Sequence, residues 1–476
     1  MSGLAVTTSS SPSAPSAPAG SSVRRAPSRR RMFSVELLRL LAIGGIAVFH
    51  AFLPTYGQIV ALGPQAAAMA SRSGALIPAL AVLASTRPLV WAVAVLELLG
   101  AWGNHVFFMI SGFFLVPKAA ERSREPHYWA GQLRSTAHRI LKVVAAVVFY
   151  AVIFMAVNRW LMPVSDAGTM WWVTYNLEFI WLYMFFIALA PVIGWVAGRC
   201  RKRWQAGLVG IALVALYALN AYVALGARGD FGQLSAMNWR KQIGAVSYLA
   251  SFIIAGVLGS VIRRSRRNVA AGEVSGKTSK REPAWLTRRF WLAVIACVAV
   301  LAMVLSAVLV ARDDYGLLSA LSFKSTSVIS FLLALSSLMI AVCGGRVRKV
   351  TNDEGVSLPR NGNVRSAAEM QTAGSAAAPP AGKTKAALEA LASGILGFYI
   401  AQALGYSIMG IVQTYFTAIP LKHVAAAALA GSVLHFAFWE VVWFLTAIVV
   451  ALALVVIICL FDRFVRQPLL RLVKLA

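Results

Sequence analysis

Long apolar runs alternate with short polar or basic segments along almost the whole chain. Ten of these runs approach the roughly 20 residues that an α-helix needs to cross a bilayer. A shorter apolar run, GALIPALAVLA at 74–84, is more typical of a re-entrant or interfacial segment than of a span. The pattern therefore predicts ten membrane-spanning helices, at about 33–56, 97–116, 140–162, 176–197, 205–225, 243–262, 290–311, 322–343, 392–416 and 436–461.

The basic residues follow the same alternation. With a cytoplasmic N-terminus, 35 of the 45 Lys and Arg residues fall in the N-terminal tail, in four alternate connections and in the C-terminal segment. Those connections are 117–142, 198–204, 263–289 and 344–391. Because Lys and Arg collect on the cytoplasmic side of membrane proteins, we expect both termini to be cytoplasmic.

The polar segments divide the chain into one membrane domain and two tails. Residues 1–31 lack the apolar core of a signal peptide and are predicted to be a disordered basic cytoplasmic tail. Residues 32–462 form the predicted transmembrane domain, with flexible cytoplasmic loops at about 263–289 and 344–391, and 463–476 form a basic cytoplasmic end. We therefore expect any chemistry to use residues within the membrane and in short loops.

The composition supports an all-α polytopic membrane protein. Hydrophobic residues make up 59% of the chain and charged residues only 13%, against about a quarter in soluble proteins. A net charge of +28 would suggest nucleic acid in a soluble protein, but here the charges follow the predicted topology, so we expect no nucleic-acid partner. The four cysteines have no paired spacing, so neither a disulfide framework nor a metal site is expected.

The first predicted span carries three ionisable residues on one face. Arg39 and His50 are eleven residues apart, which places them on nearly the same side of a helix, about 16 Å apart along its axis. Glu36 lies three residues before Arg39, at salt-bridge spacing. One interpretation is that Glu36 neutralises Arg39 and His50 bonds a neighbouring helix; the other is that His50 is a general base reached through a polar channel.

Further candidates lie in the second span and the connection that follows it. Asn104 and Ser111 are two turns apart and share a face, and Ser111 precedes Gly112, where a thin ligand could approach the backbone. Packing through small residues is the alternative. Three basic residues lie in the predicted cytoplasmic connection before the third span or at its start: Arg134, Arg139 and Lys142. They either follow the usual enrichment of Lys and Arg on the cytoplasmic side or bind phosphate groups of a ligand.

Three acidic residues fall in the predicted outer halves of their spans: Glu97, Glu178 and Glu440. Together with nearby Trp residues, these carboxylates indicate one of two features. One is a carbohydrate-binding site at the outer surface, and the other is an interfacial aromatic belt with solvated carboxylates.

Several segments, in order along the chain, resemble the membrane acyltransferase-3 family. FSVELLRLLAIGGIAVFHAF resembles that family's first span, in which ten residues separate a basic residue from a histidine. NHVFFMISGFFL resembles the family's next element. Weaker similarities are seen in LEFIWLYMFFIALAPVIGW, ASGILGFYIAQALG and RFVRQPLLRLVK. The chain departs from the family at Gln402 and at Phe179–Trp181, where relatives often carry histidines, which puts any role of those positions in acceptor binding in doubt.

The resemblance implies an O-acyltransferase that moves an acyl group, most often acetyl, from a coenzyme A thioester to a hydroxyl of a cell-surface glycan or glycolipid. It implies that His50 is the catalytic histidine and that Arg39 and the basic residues before the third span hold the donor. Acyl-CoA would be a co-substrate, with no permanently bound cofactor, and the location would be a bacterial plasma membrane. Direct transfer and an acyl-histidine intermediate both stay open.

A multi-span transporter or flippase of a glycan is the alternative function. Intramembrane Glu, Arg and His suit it, but the chain shows no internal repeat and no matched pair of Gly- or Pro-broken spans.

Overall fold

The computed structural model describes residues 32–62, 86–164, 167–199, 203–225, 239–270, 286–322, 327–343 and 381–472. Within these ranges all regular structure is helical, with no strand, as the composition predicts. A short π-helical turn, Asp462–Arg466, follows the fourteenth helix. The helices are α1 Phe33–Leu62, α2 Arg87–Arg122, α3 Tyr128–Trp160, α4 Met170–Asn176, α5 Glu178–Arg199, α6 Arg203–Leu225, α7 Trp239–Ala270, α8 Arg288–Ala311, α9 Tyr315–Ser322, α10 Val328–Cys343, α11 Ala381–Ala392, α12 Ile395–Leu404, α13 Tyr406–Leu429, α14 Val433–Phe461 and α15 Gln467–Leu472.

Seven helical segments within the described ranges are long and apolar enough to cross a membrane. They are α1, α2, α3, α5, the part of α7 at 242–264, α8, and the continuous stretch from α14 to α15. Each contains most or all of one span predicted from the hydrophobic pattern, so the multi-pass membrane architecture is confirmed. The total of ten spans and the cytoplasmic position of both termini stay predictions.

The remaining predicted spans correspond to less regular elements. The runs at 205–225 and 322–343 match shorter apolar helices, 209–222 and 328–343. The run at 392–416 is not one helix, because the chain breaks at Gly405 and α12 instead forms a bent pair with α11, at an angle of 43°. Gly394 lies in that bend, where a Cβ atom would come within 2.7 Å of Cys459 Cα, so α14 leaves no room for a side chain there.

Helices occupy part of each of the two segments that are predicted to be flexible cytoplasmic loops. Helix α7 continues to Ala270, and α11 occupies the end of the segment 344–391. The apolar run at 74–84 lies outside the described residues.

Helix α2 is central to the bundle. Two thirds of its apolar window is buried, and it packs against α1, α5, α7, α8 and α10. It runs antiparallel to α1 at very close range, because a Cβ atom at Gly103 would come within 2.7 Å of the Ala42 carbonyl oxygen. Gly103 lies beside Ala42 and Gly100 lies beside Phe49, the neighbour of His50. The C-terminal end of α2 therefore lies at the same end of the bundle as Arg39, and the turn at Gly100 lies near His50.

Candidate active site

The Glu36–Arg39 ion pair that the spacing predicts on α1 is present. Arg39 Nη1 lies 2.9 Å from Glu36 Oε1, Glu36 is buried, and a third of the Arg39 side chain is exposed. The ion pair uses only part of the guanidinium, which carries five donors. Arg39 therefore keeps hydrogen-bonding capacity for a further anion.

His50 is held in one tautomer by its own helix. Its Nδ1 atom lies 2.8 Å from the Ile46 carbonyl oxygen, which can only accept a hydrogen bond. Nδ1 must therefore carry the proton of the neutral ring, and Nε2 carries the free lone pair. This is the protonation state that a general base needs.

His50 lines a cavity of about 300 Å³ between α1, α12, α13 and α14. The Tyr406 ring, on the same cavity wall, has its centroid 6.5 Å from that of the imidazole. The cavity combines a few polar side chains with a mostly apolar wall, which is typical of small-molecule sites. Its polar lining residues are His50, Gln402, Tyr406, Ser407 and Gln413.

A second group of polar residues surrounds Arg39, and we call Arg39, Ser111, Arg139 and Tyr183 the inner cluster. The Tyr183 hydroxyl is hydrogen-bonded to Ser111, and the charges of Arg39 and Arg139 both act on it. Since the single hydroxyl proton of Ser111 goes to the Phe107 carbonyl oxygen at 3.0 Å, Ser111 accepts from Tyr183. Tyr183 of α5 is thus bonded to Ser111 of α2 and lies within electrostatic range of one arginine on α1 and one on α3.

Aromatic rings fill the space between the inner cluster and the cavity, and we call Phe107, Phe179 and Tyr399 the aromatic layer. Phe179 and Tyr399 are stacked, with centroids 4.7 Å apart and an interplanar angle of 7°, and Phe107 lies 4.9 Å from Tyr399. Phe107 is one turn before Ser111 of the inner cluster. Tyr399 is one turn before Gln402 of the cavity, so the layer connects the two sites.

The Tyr399 hydroxyl is buried in this layer and has no hydrogen-bond partner among the described residues. A buried hydroxyl without a partner carries a desolvation cost of about 1–3 kcal/mol. A ligand that passes the layer and offers a hydrogen-bond acceptor would recover that free energy.

The other residues predicted to bind the donor, Asn104 and the basic residues of α3, differ in their positions. Asn104 donates through Nδ2 to the Tyr248 hydroxyl at 3.2 Å, which directs it toward α7. Arg134 is exposed, whereas Arg139 and Lys142 are half-buried. Of the three basic residues predicted on α3, Arg139 is the one that the structure connects to the inner cluster.

The three acidic candidates differ in their surroundings. Glu97 is fully buried, neither of its carboxyl oxygens has a hydrogen-bond partner among the described residues, and it lies within electrostatic range of Tyr406. Glu440 is half-buried and hydrogen-bonds Thr86 at the start of α2. Glu178 is exposed at the first turn of α5. Glu97 is therefore close to the His50 cavity, through Tyr406, whereas Glu178 lies in an exposed position.

Sequence reasoning did not single out Tyr183, Tyr399, Gln413 or Tyr406. Tyr183 and Tyr399 occur in segments that carry the family resemblance, but their roles depend on which helices meet. No periodic pattern along one helix predicts such contacts. Among the described residues, no group of three His, Cys, Asp or Glu side chains is placed to hold a metal ion.

Comparison with known proteins gives one clear result. The acyltransferase-3 family model, described as an acyltransferase domain, matches residues 32–460, which is most of the chain. Neither the curated proteins nor the solved structures contain a match. The matched range includes the whole of the site described above. The chain therefore belongs to the acyltransferase-3 family and is a multi-pass membrane protein of that family.

Proposed function

We propose that this membrane acyltransferase moves an acyl group, most often acetyl, from a coenzyme A thioester to a hydroxyl of a cell-surface glycan or glycolipid. The observation that carries the proposal is the alignment of Arg39 and His50 on one face of α1. Arg39 belongs to a cationic cluster at one end, and His50 opens into a cavity three turns away.

The inner cluster suits the phosphate-bearing part of the donor. Coenzyme A has a polyanionic nucleotide end that cannot enter hydrocarbon without a large desolvation cost. Guanidinium groups bind phosphate oxygens through paired, charge-assisted hydrogen bonds. We assign Arg39, Arg139 and Ser111 to donor binding, with Arg134 and Lys142 as outer contributors.

The thin arm of the donor would pass the aromatic layer to reach His50. The spacing of about 16 Å between Arg39 and His50 along α1 separates the phosphates from the thioester. The unpartnered Tyr399 hydroxyl supports this route, because amide and thioester carbonyls of the arm are hydrogen-bond acceptors. The layer is closed in the structure, so the rings must separate when the donor enters.

The chemistry at His50 is a direct acyl transfer. Nε2 removes the proton of the acceptor hydroxyl as its oxygen attacks the thioester carbonyl carbon. The tetrahedral intermediate then collapses with cleavage of the carbon–sulfur bond, and the imidazolium returns the proton to the departing thiolate. The products are the ester and free coenzyme A. No oxyanion donor is assigned, because Arg39 lies about 16 Å from His50 along α1 and Asn104 is bonded to Tyr248 of α7.

Acceptor recognition is assigned to the end of the bundle beyond His50. Glu97 is buried beside Tyr406, and Glu440 is bonded to Thr86, so both lie on the side of His50 away from the inner cluster. Carboxylates accept hydrogen bonds from sugar hydroxyls. We include Glu178 as an exposed contributor and place the protein in a bacterial plasma membrane. Family membership does not support the transporter alternative.

The test is the acyl content of surface glycans in cells that lack the protein and are complemented with variants. We expect native chain and the His423→Ala control to restore acetylation and His50→Ala to restore none. His423 is an exposed histidine on α13 that stacks on Trp439 and does not line the cavity. Full restoration by His50→Ala would overturn the assigned mechanism.

A further inference from the structure

A second polar cavity lies at the inner-cluster end of the bundle. It has a volume of about 590 Å³ and is formed where the ends of α2 and α5 meet the side of α7. Along α2 it begins six residues beyond Ser111, about 9 Å further from His50. It shares no lining residue with the inner cluster or with the His50 cavity. Its charged lining residues are Glu121, Arg124, Arg263 and Arg264.

The helices that form this cavity are closely packed against one another. A Cβ atom at Gly259 would come within 2.7 Å of the Phe113 carbonyl oxygen, and one at Gly198 within 2.9 Å of the Ala120 carbonyl oxygen. Ser123 folds back to donate to Ala120 at 2.8 Å. Helices α2, α5 and α7 are therefore in close contact at this cavity, which fixes the backbone from which its arginines extend.

The cavity has an excess of positive charge. Arg263 lies 3.6 Å from Glu121, whereas Arg124 and Arg264 have no acidic partner among the described residues. Basic residues at helix C-termini often offset the helix dipole, but here Arg122 and Arg199 occupy the last turns of α2 and α5. The three cavity arginines are additional to them. Two guanidinium groups without acidic partners in one concave site match the geometry of a phosphate.

We propose that this cavity binds a phosphate group, presented either by an anionic lipid headgroup or by the nucleotide end of the donor. Both sources carry the same charged oxygens, and the cavity opens at an end of the bundle that either can reach. The inference goes beyond the acyl-transfer proposal, because binding here does not require transfer. It can be measured in His50→Ala protein, so failure of one proposal leaves the other testable.

The experiment uses the full chain in nanodiscs and compares two double variants that remove equal charge. Arg124→Gln with Arg264→Gln removes the two unpaired cavity arginines. Arg288→Gln with Arg289→Gln removes two adjacent exposed arginines at the start of α8, outside the cavity. The probes are adenosine 3′,5′-bisphosphate in phosphatidylcholine nanodiscs, followed by calorimetry, and phosphatidic acid mixed into phosphatidylcholine nanodiscs, followed by thermal stabilisation.

We expect the cavity variant to bind at least one probe about tenfold more weakly, while the α8 control binds like native protein. A loss confined to phosphatidic acid identifies the lipid source, and a loss confined to the bisphosphate identifies the donor. As a second variant, Glu121→Gln should tighten binding of the same probe, because it frees Arg263. Unchanged binding of both probes in the cavity variant, or a matched loss in the α8 control, would overturn the proposal.

Discussion

At the scale of single residues, two of the histidines in the membrane bundle have opposite surroundings. His50 lines a cavity and is bonded to its own helix, which leaves Nε2 as a base. His105 is fully buried, and its Nδ1 donates to Ser251 Oγ at 2.8 Å, since the Ser251 hydroxyl donates to the Ser247 carbonyl oxygen. One histidine suits chemistry and the other helix association.

We predict that His105→Leu destabilises the protein but leaves acyl transfer unchanged. Losing a hydrogen bond between α2 and α7 should lower the free energy of unfolding by about 1 kcal/mol. Transfer per folded molecule should stay near the native value, since His105 does not line the His50 cavity. Denaturation in detergent and activity normalised to folded protein measure the two effects. A complete loss of transfer in folded His105→Leu protein would contradict the division of roles.

A second prediction concerns the partner of Arg39. Glu36→Gln removes the charge that positions the guanidinium, and ion pairs of this exposure contribute about 0.2–1 kcal/mol. The KM for acetyl-CoA should therefore rise by up to about fivefold with little change in kcat. Steady-state kinetics against the exposed Glu125→Gln control measure it. A fall in kcat at unchanged KM would contradict this prediction, because it would indicate that Glu36 acts in the chemical step and not in donor binding.

Glu97 gives the residue-scale test of the acceptor site. Glu97→Gln preserves shape and removes the carboxylate, so transfer to the glycan should fall about tenfold while slow hydrolysis of acetyl-CoA by water persists. The exposed Glu178→Gln should show a smaller loss. Parallel assays of ester formation and coenzyme A release separate the two reactions. Equal losses in both reactions would show that Glu97 acts on the donor side.

At the scale of the helices, the register between α1 and α2 sets the position of both catalytic candidates. The two helices touch at Gly103, where Ile46 Cγ1 would lie 2.6 Å and the Ala42 carbonyl oxygen 2.7 Å from an added Cβ atom. These contacts fall between Arg39 and His50 along α1. Any widening of this interface would shift both side chains relative to Ser111 on α2.

We therefore predict that Gly103→Ala lowers both stability and transfer. Overpacking of this kind costs about 1–3 kcal/mol. The matched control is Gly57→Ala on α1, where an added Cβ atom meets nothing within 4 Å and the free energy of unfolding should be unchanged or higher. Thermal denaturation and transfer assays on both variants measure the contrast. Equal behaviour of Gly103→Ala and Gly57→Ala would contradict the close packing.

At the scale of the whole molecule, the sequence predicts features that lie within one helix. It does not predict features that depend on contacts between several helices. The Glu36–Arg39 pair and the shared face of His50 follow from helical periodicity, and seven apolar runs are long helices in the structure. The break at Gly405 was missed because an isolated glycine is also tolerated inside a helix. Tyr183 and Tyr399 join the site through contacts between α2, α5 and α12, and no local pattern encodes which helices meet.

The central claim is that Arg39 and His50 serve successive parts of one path, with donor binding at the first and chemistry at the second. The most direct measurement compares acetyl-CoA affinity and acyl transfer in purified Arg39→Ala, His50→Ala and His423→Ala proteins. We predict that His50→Ala binds acetyl-CoA like native protein but transfers no acyl group, whereas Arg39→Ala binds it at least about tenfold more weakly. Native rates of transfer in His50→Ala, or native affinity in Arg39→Ala, would contradict the claim.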